Sequence, residues 1–246
     1  IYGIVALISY LYGGVIADRY SPGKLMAIAL FSTAIGGFVM ATFPSFLVLQ
    51  ILYSYWGFTT VFLFWGAMIK ATRLWGGGKN QGKAFGFLDG GRGVVAASMG
   101  SIGVFIFSIF LKTEINLASV VEKQEAFRYV ILFSSFTVII IGALVLYFMD
   151  NEQKHQVKKN SSIISIKNIK SVLKIKSVWL MMMMIMSAYV GYKLTDIYSL
   201  YASEVMLYNQ IEAAEIGALQ LYLRPLVCLV IGLLADKTSS IRWIII

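Results

Sequence analysis

Five ionisable residues stand inside long apolar runs: Asp89, Arg92, Lys193, Asp196 and Arg224. Charges in hydrocarbon are costly, so each is a candidate for function. Asp89 and Arg92 are three apart on one helical face, as are Lys193 and Asp196, and each pair can neutralise itself. Arg224 has no acidic neighbour on its own stretch. A guanidinium offers a planar fork of donors that matches a carboxylate, phosphate or sulfonate. The chemistry open to this set is therefore binding an anion, with Arg224, Lys193 and Arg92 as the cations. Asp89 and Asp196 could instead carry a proton. Tyr189, Tyr192 and Tyr222 are hydrogen-bonding neighbours for Arg224 by spacing. Trp56 and Trp65 read as packing or interface residues, and Met181–Met184 as lipid-facing or core filler.

The elements that must position these residues are membrane helices. The chain has 246 residues, 59% hydrophobic and 13% charged. Soluble domains carry about 25% charged residues. Apolar stretches of about 20 residues match the hydrocarbon core. Spans are expected at 1–17, 25–43, 46–70, 84–111, 128–149, 177–202 and 211–235, with another beginning at 243. With the loop 18–24 in the cytoplasm, 15 of the 21 Lys and Arg fall on that side and three (Lys112, Lys123, Arg128) on the other. That follows the positive-inside bias, and it explains the net charge of +9 without nucleic acid. The single cysteine, Cys228, excludes an internal disulfide. No cleavable signal peptide is evident.

One segment occurs twice. Gly14-Val-Ile-Ala-Asp18-Arg19 leads to Lys24, and Gly232-Leu-Leu-Ala-Asp236-Lys237 leads to Arg242, each residue 218 positions after its counterpart. Asp18 ends a span that runs inward, where the helix dipole disfavours a carboxylate. It needs a partner, either a base or a neighbouring helix N-terminus. A contact that breaks would be a gate; one that holds would be a staple. Two copies in register point to an internally repeated transporter.

Both segments resemble the loop motif of the major facilitator superfamily, Gly-x-x-x-Asp-Arg/Lys-x-Gly-x-Arg/Lys-Arg/Lys. Ser21 and Ser239 stand where its inner glycine is usual, and Gly23 and Ile241 where a base is common. The resemblance implies an all-α, polytopic helical bundle of two six-helix repeats. It implies a secondary carrier working by alternating access, with Gly14, Asp18, Arg19, Lys24, Gly232, Asp236, Lys237 and Arg242 as gating residues. On this mapping the chain is a fragment, truncated at both ends. Residues 1–149 hold helices two to six, 150–176 a linker, and 177–246 helices seven, eight and the start of nine. Within the linker, Ile163, Ile166, Ile169 and Leu173 alternate with lysines, as in an amphipathic surface helix. A solvated linker is the alternative.

The expected fourth span carries Gly86, Gly90, Gly91, Gly93, Gly100 and Gly103. Gly86/Gly90 and Ala96/Gly100 are small-xxx-small pairs that admit a close neighbour. That helix either rocks against one from the other half or simply packs tightly. The stretch from Gln81 to Gly93 is loosely similar to the start of the fifth helix in the organophosphate/phosphate antiporter branch. Gly77-x4-Gly82-Lys83 imitates a phosphate-binding loop, but Ala84 replaces the Ser or Thr and no strand precedes it.

No metal-ligand cluster and no nucleophile–base set is seen, so neither an enzyme nor a cofactor is expected. The expected substrate is a small organic anion, phosphorylated or sulfonated, and the expected partners are that substrate and the lipid bilayer. A monomer in the plasma (bacterial inner) membrane is expected. The alternatives are a proton-coupled sugar or metabolite symporter and a non-transporting membrane sensor of the same fold.

Overall fold

Long apolar runs with few helix breakers fold here into long helices, because a chain in lipid must satisfy its backbone internally. The computed structural model describes residues 1–111, 118–153, 171, 173–194, 197–208 and 210–238. We number the helices α1 (Tyr2–Arg19), α2 (Pro22–Met40), α3 (Phe46–Gly57), α4 (Gly66–Gly76), α5 (Gln81–Phe110), α6 (Val120–Gln153), α7 (Lys176–Leu194), α8 (Tyr198–Glu204) and α9 (Gln210–Lys237). A π-helical segment, Phe58–Trp65, joins α3 to α4, so the third span is one rod from Phe46 to Gly76. No strand occurs among the described residues. Five helices among those residues are long and apolar enough to cross a membrane: Pro22–Met40, Phe46–Gly76, Gln81–Phe110, Val120–Met149 and Lys176–Leu194. The protein is an all-α, multi-pass membrane protein.

Local chemistry sets the boundaries. Pro22 opens α2 at a position whose N–H would have no helical partner. The third span runs six residues beyond the expected end at 70, because 71–75 contain no Gly or Pro. Gly77, at φ +57°, ends it in the left-handed region that favours glycine. The side chain of Gln81 then donates to the carbonyls of Arg73 (2.9 Å) and Gly77, tying the end of α4 to the start of α5. α6 starts at Val120, eight residues before the expected boundary. Ser119 and Glu122 form a capping box there: the Ser119 N–H donates to Glu122 Oε2 at 2.8 Å, and the Glu122 N–H to Ser119 Oγ at 3.3 Å. The expected span 177–202 is two helices, α7 and α8. The expected eighth span and the isoleucines of the linker lie outside the described residues.

The chain divides into two compact units. The first holds Ile1–Ala84 and Ser98–Ser161. In it α2 packs on α6 and on the third span, and α1 packs along the third span. Buried small residues of α2 (Ala27, Ala29, Ala34, Gly36, Gly37) make room for these neighbours. Phe38 meets Phe136 edge-on at 5.3 Å. Gly37 lies against Ser135, whose hydroxyl is satisfied by the Ile131 carbonyl at 2.8 Å. The second unit holds Phe85–Ala97 and Ser162–Ile246. There the start of α5 packs against α9, and α8 packs against α9. The methionines 181–184 are all exposed.

Candidate functional site

Two groupings carry chemistry, one in each unit. In the second unit, Arg224 follows fourteen helical residues of α9 and precedes Pro225, which lies inside that helix. Proline has no N–H to give to the carbonyl four residues back. Arg224 Nη1 donates to the Tyr192 hydroxyl at 2.6 Å, and its guanidinium carbon lies 4.4 Å from the centroid of the same ring. Tyr192 therefore holds Arg224 through both its face and its hydroxyl. Lys193 Nζ is 5.9 Å from that centroid, and the Tyr189 ring is 6.0 Å from the Tyr192 ring. Arg224, Lys193, Tyr189 and Tyr192 thus form one cluster between α7 and α9. Tyr222 stands apart from it, exposed and two residues earlier, about 200° round the helix.

Asp89 and Arg92 lie on α5 and form an ion pair at 3.2 Å, with both side chains nearly half exposed. Between them, Gly90 packs against α9: an ideal Cβ there would lie 3.0 Å from the Pro225 carbonyl oxygen. At Gly86 the same construction comes within 2.7 Å of the Cys228 carbonyl oxygen and 3.3 Å of Gly232 Cα. Glycine at both positions lets the two backbones touch. The α5 stretch bearing Asp89 and Arg92 therefore crosses α9 beside Arg224. Among the described residues, a Cβ on Gly100, of the Ala96/Gly100 pair, would meet nothing within 4 Å. Asp196 and Arg242 lie outside the described residues.

The second grouping is at the end of α1, in the first unit. Asp18 is exposed, and no base lies within ion-pair distance of its carboxylate among the described residues. The expected partner is instead supplied to the backbone. Lys70 Nζ donates to the carbonyl oxygens of Ala17 (2.7 Å), Asp18 (3.1 Å) and Tyr20 (3.2 Å). A cation on the last carbonyls of a helix is worth up to about 2 kcal/mol. Gly13, rather than Gly14, makes the close approach: its ideal Cβ would lie 2.9 Å from the Phe62 carbonyl oxygen. Gly14 and Asp18 instead line a cleft of about 760 Å³ between α1 and the third span, together with Trp65, Lys70, Arg73 and Gln81. Arg19, Lys24 and Lys237 are exposed.

Spacing alone misses Lys70 and Gly13. It also misses Tyr55, which binds the Ser32 carbonyl of α2 at 2.7 Å, whereas Trp56, read as a packing or interface residue, binds the Thr33 carbonyl at 3.1 Å. Among the described residues no three metal-binding side chains gather.

Comparison with known proteins agrees with these helices. The family model for the Major Facilitator Superfamily matches residues 1–246. The chain is 28% identical to the inner membrane protein YqcE of Escherichia coli over 88% of its length and 49% of that protein. It is 24% identical to the inner membrane protein YihN of the same organism, over 72% of the chain and 40% of the relative. It is 25% identical to an uncharacterized MG294 homolog of Mycoplasma pneumoniae, over 98% of the chain and 54% of the relative. The chain spans about half the length of the curated relatives it matches. No solved structure matches it significantly. With the repeated Gly-x-x-x-Asp segment, the multi-pass helices and a family match along its whole length, this chain belongs to the major facilitator superfamily.

Proposed function

We propose that the chain is part of a secondary carrier that moves a small organic anion across the inner membrane by alternating access. One observation carries the choice of substrate: Arg224, within an apolar helix, has the neutral Tyr192 as its partner and no carboxylate among the described residues. A membrane-buried cation is tolerated when paired or when facing a watery cavity or pathway. An anionic substrate supplies the missing charge, and the guanidinium can grip a carboxylate, phosphate or sulfonate with two parallel bonds. Lys193 adds a second cation beside the same tyrosine, and Arg92 a third on the helix that crosses α9 at Pro225. The names of the two Escherichia coli relatives support the inner membrane as its place.

A second reading is favoured by the Asp89–Arg92 pair. Its half-exposed carboxylate could take a proton, as in a proton-coupled sugar or metabolite symporter. The two readings part in a thermal-shift screen of the full-length protein in detergent. The panel holds phosphorylated, sulfonated and carboxylated metabolites beside neutral sugars. The anion carrier is stabilised by members of the first three groups, and Arg224→Leu loses that response. Stabilisation by neutral sugars alone, retained in Arg224→Leu, contradicts it.

A further inference from the structure

The end of α1 is tied to the third span, and the tie lies beyond a change of helix type. Lys70 offers three N–H donors and meets three carbonyls, those of Ala17, Asp18 and Tyr20. The last carbonyls of a helix have no donor within it, so the ammonium serves as a cap in trans. Lys70 stands on α4. Between α4 and α3 lies the π-helical segment Phe58–Trp65, flanked by Gly57 and Gly66. A π turn closes its hydrogen bond one residue later than an α turn, and such segments are rare and cluster at functional positions. Reversion to α closure would rotate everything beyond it.

Both α1 and α2 pack along the third span, but the side-chain hydrogen bonds of its two ends go to different helices. Tyr55 and Trp56, on α3, donate to carbonyls of α2 at 2.7 and 3.1 Å. Thr59, fully buried at the start of the π segment, accepts a hydrogen bond from Thr33 of α2 at 3.0 Å. On α4, by contrast, Lys70 holds α1, and an ideal Cβ on Gly66 would lie 3.0 Å from Ala17 Cβ. α1 also reaches α3, where an ideal Cβ on Gly57 would lie 3.4 Å from Val5 Cβ.

We propose that Lys70 is a positioning residue that couples the last turn of α1, and with it Asp18, to α4. The two turn together about the π segment Phe58–Trp65, while α3 stays on α2. The proposal rests on the carrier reading for its purpose. The coupling itself is measured without substrate, so the two can fail separately.

The test is amide hydrogen exchange on the full-length protein in lipid nanodiscs, for wild type, Lys70→Met and Lys70→Arg. In Lys70→Met, exchange at residues 16–20 and 66–76 rises together by at least about threefold, the signature of one cooperative opening unit. Residues 46–57 and α2 do not change, and Lys70→Arg stays near wild type. Faster exchange confined to α1 makes Lys70 a simple helix cap and overturns the proposal, as does a rise that spreads into 46–57 and α2. Two disulfide staples give an independent reading should Lys70→Met fail to fold. Ala17→Cys with Gly66→Cys lies within the proposed moving unit and leaves exchange at 58–65 unchanged. Val5→Cys with Gly57→Cys ties that unit to α3 and slows exchange at 58–65. Equal effects from both staples overturn the proposal.

Discussion

Tyr192 holds Arg224 twice, through its hydroxyl at 2.6 Å and through its ring at 4.4 Å from the guanidinium carbon. The tyrosine comes from α7 and the arginine from α9, so the pair joins two helices at the level of Pro225. A single tyrosine leaves most of the five guanidinium donors free for a ligand.

The hydroxyl and the ring can be separated by mutation. Tyr192→Phe keeps the cation–π contact and removes the hydrogen bond, a change of about 1 kcal/mol. Affinity for an anionic ligand should fall several-fold while the melting temperature stays close to wild type. Tyr192→Leu removes both contacts and should cost more. The check is ligand titration of the full-length protein beside its melting curve; equal affinity in all three would detach Tyr192 from the site.

The α5–α9 crossing makes a steric prediction. At Gly86 and Gly90 a Cβ meets backbone carbonyl oxygens at 2.7 and 3.0 Å, so the helices must separate to admit one. Gly90→Val should destabilise the full-length protein by about 1–3 kcal/mol, the usual cost of overpacking. Gly100→Val, where no described residue lies within 4 Å, should cost less. Melting temperatures in detergent compare the two, and a larger loss at Gly100 would contradict the crossing.

Asp18→Asn removes the charge from the α1 end while keeping its size. Lys70 grips the backbone there and not the carboxylate, so the helix end should survive. Insertion and expression should be normal and transport strongly reduced, measured as uptake by vesicles containing the full-length protein. Unchanged transport with lowered expression would make Asp18 a structural staple.

Ser119→Ala breaks the capping box that starts α6. Loss of such a cap costs about 0.5–2 kcal/mol. A modest fall in melting temperature with unchanged ligand affinity is expected. A fall in affinity without loss of stability would mean that the box serves the site instead.

What the sequence discloses here follows the reach of each interaction. Gly86 and Gly90 sit four apart on one helix, so their role as a contact face is legible without knowing the neighbour. Arg224 and Tyr192 stand out because charge and hydroxyl are scarce in apolar runs. Lys70 does not stand out: it satisfies carbonyls fifty or more positions away, and among basic loops it reads as a topology signal. The Phe58–Trp65 run is uniformly apolar apart from two threonines, and nothing in it distinguishes π from α closure. The repeated grammar draws attention to Gly14, yet the helix turns Gly13 toward Phe62. Ser119-x-x-Glu122 is a helix-start signature, but the charges Glu122, Lys123 and Glu125 around it give it the look of a loop.

The central claim is that Arg224 recognises an anion. Arg224→Lys preserves the positive charge but removes the planar fork and weakens the stacking on Tyr192. The decisive measurement is the dissociation constant of the best anionic ligand, with melting temperature, for full-length wild type and Arg224→Lys. We predict at least about tenfold weaker binding, equivalent to about 1.4 kcal/mol, with little change in melting temperature. Equal affinity in the two proteins, or tight binding of only neutral or cationic ligands by wild type, would contradict it.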